Sequence, residues 1–190
     1  MSIENVSFLK NGIAFSNYPY PPASVYPAGI VEYGVIREAL PEHAPPEIRT
    51  IHGEVLFVSA TLKRKLITAA KKNNLPVVRR VDFWYLILEP FLDTTIDQAK
   101  SVSVLEANGV SNAECQALRK SLRDVMYAYN ILSGLWDWAH LGLADVLDAL
   151  REGGPFPVCH QYSLPPDEYR SFYQKAMEIA ERGHVCATDP

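Results

Sequence analysis

Several things are missing from this sequence, and each absence removes a class of function. No apolar run reaches the roughly 18 residues that a membrane-spanning helix needs. The opening stretch MSIENVSFLKNG has no basic segment followed by an apolar core, so it does not read as a signal peptide. Cysteine is scarce. Cys115, Cys159 and Cys186 are odd in number and far apart, which fits free thiols in a reducing compartment and not a disulfide framework. The expectation is a soluble, cytoplasmic protein with no membrane association.

Catalytic signatures are missing too. There is no G-x-S-x-G elbow, no S-x-x-K with its partners, and no cysteine in a recognisable catalytic frame. The paired glycines Gly153 and Gly154 precede Pro155 and not a Lys-Ser or Lys-Thr helix start, so they make no phosphate loop. Cys159, His160, His184 and Cys186 lack zinc-site spacing, because adjacent Cys159 and His160 rarely aim at one ion. No Glu-x-x-His pair marks a helical metal site. Neither a metal nor a cofactor is expected. The net charge of −4 and isoelectric point of about 5.7 supply no global field to recruit nucleic acid.

What is present is a change of period. Residues 1–58 read as mostly extended. VSFLK and IAFS flank Asn11-Gly12, a pair suited to a tight hairpin with positive φ at both turn residues. EIRTI and EVLFV flank His52-Gly53 in the same way. Residues 29–40 alternate as a strand does. Between them, NYPYPPASVYPAG carries four Pro and three Tyr. It predicts an extended arm that covers its own fold or docks on a partner.

From Ser59 onward the spacing turns helical, and residues 59–183 predict five to six helices, with 184–190 as a tail. The best periodicity is Cys115, Leu118, Leu122, Val125, Tyr129 and Leu132, behind a Ser111/Glu114 capping box. The predicted fold class is α+β, a small N-terminal antiparallel sheet of hairpins packed against a helical layer, as one domain over 1–190.

Three candidate sites stand out. The first is VDFWYLILEPFLD, residues 81–93. Pro90 breaks helical hydrogen bonding and pushes Glu89 away from helical angles, so a helix starting at Asp82 should break here and free a carbonyl or two. Asp82, Glu89 and Asp93 would share one face. The plain reading is a stripe facing water. The functional one is a pocket with Glu89, Asp93, His140 and Tyr129 as catalytic groups and Trp84, Trp136 and Trp138 as walls.

The second is a basic segment. Seven bases and no acid lie between Glu54 and Asp82. Lys63, Arg64, Lys71, Lys72, Arg79 and Arg80 are its candidate anion-binding residues, with Lys65 in the same run. The plain reading is a solvated helix face. No helix-turn-helix or RNA-binding signature accompanies it, and aromatics do not interleave with it, so nucleic acid is the third-ranked partner. The third candidate is the Tyr/Pro arm. Together these predict a binding or interaction module, a homo-oligomer, that takes an acidic protein partner or a small anion. A small-molecule or metal-dependent enzyme built around Glu89 and His140 is the alternative.

Overall fold

The computed structural model describes residues 5–92, 98–132 and 140–182. Their contacts divide into two compact units, one ending at Val81 and the other beginning at Asp82.

The first unit is built on two three-stranded antiparallel sheets. One has the order β1 (Val6–Phe8), β2 (Gly12–Ser16), β3 (Ala28–Glu32). The other has the order β4 (Ile36–Leu40), β5 (Glu47–Thr50), β6 (Val55–Phe57). Both expected hairpins form, but the first turns one residue earlier than the Asn-Gly pair suggests. Leu9 N–H donates to Gly12 C=O at 2.9 Å, so Lys10 and Asn11 form the turn and neither has a positive φ. Gly12 already belongs to β2. A Cβ there would run into the carbonyl oxygen of Val31 on β3, and this close approach is what requires glycine. In the second hairpin Gly53 has φ +79°, the left-handed turn position expected of it.

Residues 29–40 form two strands. A 3-10 turn over Tyr33–Val35 separates β3 from β4 and hands the chain to the second sheet. The Tyr/Pro arm packs on its own unit. Tyr18 and Tyr20 are buried and join Phe15 and Phe57 in an edge-to-face series with centroids 5.3–5.6 Å apart. The Tyr18 hydroxyl accepts from Phe57 N–H at 3.0 Å.

Ser59 caps a 3-10 turn that leads into α1 (Lys63–Lys72). This helix buries Leu66, Ala69 and Ala70 and leaves its cations outward. The VVRRV link is extended as expected, with Val77 bridging Ala39 in parallel.

The second unit holds α2 (Phe83–Leu88), α3 (Gln98–Ala107), α4 (Asn112–Tyr127), α5 (Leu143–Leu150) and α6 (Pro166–Glu181). Ser111 accepts from Glu114 N–H and starts α4, whose buried Cys115, Leu118, Leu122 and Val125 follow the predicted spacing. Each such fully buried aliphatic side chain stabilises by roughly 1.5–3 kcal/mol. A π-helical turn over Ala128–Leu132 continues α4 and carries the buried Tyr129. The class is α+β. Among the described residues every strand lies in the first unit, and five of the six α-helices lie in the second. No helix among them is long and apolar enough to cross a membrane.

Candidate functional site

Helix α2 ends just ahead of Pro90 as expected, but Glu89 is not pushed out of helical angles: its φ −46° and ψ −40° are α-helical, and the chain becomes extended only at Leu92. Asp82 caps α2 by accepting from Tyr85 N–H at 3.0 Å, and the helix gives way at Glu89 to a 3-10 turn over Glu89–Phe91. The carbonyls exposed by the break are met by side chains. Buried Arg119 of α4 donates Nε to Ile87 O and Nη2 to Leu86 O, both at 3.0 Å. Asn130 Nδ2 donates to Phe91 O at 2.8 Å.

Glu89 does not face water. It is buried, and the Ser101 hydroxyl of α3 donates to its Oε2. His140 meets the N-terminal part of α2. It stacks on Tyr85 with centroids 4.8 Å apart, and its Nε2 is 3.6 Å from Asp82 Oδ2. Glu89 is thus bonded to Ser101, and His140 is set against Tyr85 and Asp82. Trp84 is a core residue whose Nε1 donates to Ala176 O at 3.0 Å. Asp93, Trp136 and Trp138 lie outside the described residues.

Tyr129 belongs to a cluster around Asp145 that the sequence reading missed, and the charge of His140 also acts on that carboxylate. Its hydroxyl donates to Asp145 Oδ1 at 3.1 Å, while Gly142 N–H donates to Oδ2 at 2.8 Å. Burial pushes the Asp145 carboxyl up to about 6, with those two hydrogen bonds holding it back. Burial, and then the charge of Asp145, push the Tyr129 hydroxyl far up. A carboxyl near neutrality can serve as a general acid or base. Here both oxygens already accept internal bonds, and Asp145 sits three residues after Gly142, so it acts as the cap of α5.

A second buried ionic group, also unforeseen, lies on β4 and β5. Glu38 and Glu47 carry Arg80, Arg37, His43 and Arg49 around them. Arg80 reaches Glu38 through Nε at 2.8 Å and Nη2 at 3.2 Å, and Arg37 reaches it at 3.0 Å. His43 Nδ1 lies 3.2 Å and Arg49 Nη2 3.4 Å from Glu47 Oε2. Burial works to raise both carboxyls, but these bonds and charges outweigh it and leave both below the usual carboxylate range. Charged residues in a short strand such as EIRT ordinarily face water, so nothing in the sequence marks them as buried.

The basic segment is sorted by the fold. Lys63 is paired with Glu42 at 2.8 Å, and the charge of Arg79 also acts on that carboxylate. Arg80 is held by Glu38. Lys71 is exposed. Arg64, Lys65 and Lys72 instead line a cleft of 330 Å³ together with Lys10, which the β1–β2 turn presents to α1. Phe8, Leu9, Tyr33, Thr68, Ala69 and Asn73 complete the lining. No ion pair among the described residues neutralises these four cations. Lys10 and Lys65 were not among the candidates expected from sequence. Lys65 was legible in the basic run, whereas Lys10 reaches the cleft only through the hairpin.

Among the described residues no three His, Cys, Asp or Glu side chains gather as ligands for a metal ion. Compared with protein-family models, with curated proteins and with solved structures, the chain matches none.

Proposed function

We propose that this protein is a non-catalytic binding module that holds an anionic group, carried by a small molecule or an acidic protein partner, in the cleft between the β1–β2 turn and α1. The observation that carries this reading is the gathering of Lys10, Arg64, Lys65 and Lys72 around one cleft of 330 Å³ with no carboxylate in its lining. On a chain of net charge −4, a local field of this sign is held for a partner of opposite sign. The cytoplasm suits it, since the described Cys115 and Cys159 are buried and unbonded.

Calorimetric titration with pyrophosphate and with a Glu-rich peptide tests the reading. Binding should weaken from low to physiological salt, and should fall by about tenfold or more in an Arg64→Ala/Lys72→Ala variant. If neither probe binds, or if the variant binds as well as the parent, the reading is wrong.

The module acts as a homo-oligomer in this proposal. Tyr26, Ile30 and Ile51 are 44%, 55% and 56% exposed, large values for such side chains in one unit. Ile30 lies on β3, which among the described residues is paired on one side only, by β2. An edge strand with an exposed Ile favours pairing with a second copy. Sedimentation equilibrium should show a dimer or larger species that Ile30→Lys converts to monomer; a monomeric parent protein would end this part of the proposal.

A further inference from the structure

We infer that the basic cleft selects a dianionic phosphate monoester with a small apolar or aromatic body, over a carboxylate and over inorganic phosphate. This rests on the anion-binding reading above and specifies its ligand.

The neutral polar groups of the cleft have their hydrogens turned inward. The Tyr33 hydroxyl donates to Leu9 O at 3.2 Å, the Thr68 hydroxyl donates to Arg64 O at 3.0 Å, and Asn73 Nδ2 donates one hydrogen to Ala69 O at 2.8 Å. The two hydroxyls therefore present lone pairs outward. The donors left for a ligand are almost all cationic, three ammonium groups and one guanidinium. A ligand rich in hydroxyls, such as a neutral sugar, would find few partners.

One carboxylate would leave most of that positive charge unbalanced. A phosphate monoester carries about −1.5 to −2 charge at pH 7 on three acceptor oxygens. Its oxygens match the planar fork of Arg64, and the remaining charge suits the point cations of Lys10, Lys65 and Lys72. Phe8, Leu9 and Ala69 line the same cleft and supply apolar surface that inorganic phosphate leaves unused. The cleft volume stands at the lower end of small-molecule sites, which favours a compact ester over a polymer.

Three probes separate the contributions. Phenyl phosphate has both the dianion and the ring. Benzoate has the ring with one charge, and inorganic phosphate has the charge without the ring. Calorimetric titration should show phenyl phosphate binding about tenfold or more tightly than either control, with loss of that binding in Arg64→Ala/Lys72→Ala. Its affinity should rise with pH through about 6, where a phosphate monoester gains its second charge, while that of benzoate should stay flat. No histidine or carboxylate lines the cleft, so this profile belongs to the ligand.

Benzoate binding as tightly as phenyl phosphate would overturn the charge argument, and inorganic phosphate doing so would overturn the apolar one. If the Glu-rich peptide binds through Arg64 and Lys72 while phenyl phosphate does not, the inference falls and the anion-binding module stands. If neither binds, both fall.

Discussion

The two units satisfy their buried polar groups by different means. In the first, charge meets charge: Glu38 is held by Arg80 and Arg37, and Glu47 by His43 and Arg49. In the second, buried Asp148 is likewise paired with Arg151 at 2.9 Å, but several buried donors meet the backbone instead. Arg119 holds the carbonyls of Leu86 and Ile87, Asn130 that of Phe91, Trp84 that of Ala176, and Tyr169 that of Leu147. The difference follows from the elements. Paired strands satisfy each other's backbone, so a buried charge on them has to find another side chain. A helix interrupted at a proline leaves carbonyls with no partner of its own, and a neighbouring helix has to supply donors.

The largest consequence concerns two arginines. Removing Arg119 strands two buried carbonyls, each costing about 1–3 kcal/mol when left unmet. Arg119→Ala should therefore destabilise by roughly 3–5 kcal/mol, lost packing included. Arg80→Ala should cost less, about 2 kcal/mol, because Glu38 keeps Arg37 at 3.0 Å. Denaturant unfolding of both variants measures this. A greater loss for Arg80→Ala would mean that the paired charges of the first unit matter more than the broken helix of the second.

That break was legible in advance, and the reason is local. Pro90 lacks an N–H and crowds the preceding turn, so the interruption and the need for outside donors follow from that residue, although Glu89 before it keeps helical angles. The helices of the second unit were legible through the spacing of residues such as Leu118, Leu122 and Val125, and Gly53 marked its own hairpin. What the residues do not announce is which distant groups they meet. Nothing near Glu89 identifies Arg119, 30 positions further on, as the donor. Asn11-Gly12 misled for a related reason: Gly12 is required by the neighbouring strand β3 and not by its own turn. The candidate site divides in the same way. The excess of cations between residues 54 and 82 is a property of composition. The sorting of those cations into pairs with Glu38 and Glu42, and into the lining of a cleft with Lys10, depends on contacts across the first unit.

The finer consequence is that the buried carboxyls of the two units should answer acid differently. Glu38 and Glu47 have folded-state values below the ordinary carboxylate range. Their contribution is present in full above about pH 4–5 and is lost as the pH falls through their folded values, so between pH 7 and 5 it is nearly flat. Asp145 is the reverse case. Its value rises from 3.8 to about 6 on folding, so the folded state binds its proton more tightly than the unfolded chain does. Stability from this group falls as the pH climbs from about 4 through 6, and acidification from pH 7 to pH 5 restores on the order of 1–2 kcal/mol. Hydrogen exchange, followed by mass spectrometry on peptides from each unit and corrected for intrinsic rates, should show protection in α4 and α5 rising over that window. Asp145→Asn removes the ionisation and should abolish the rise in the second unit. An undiminished rise in that variant would assign the effect to another group. Equal responses in the two units would mean that the contrast between paired charges in one and a capping carboxyl in the other does not govern their stability.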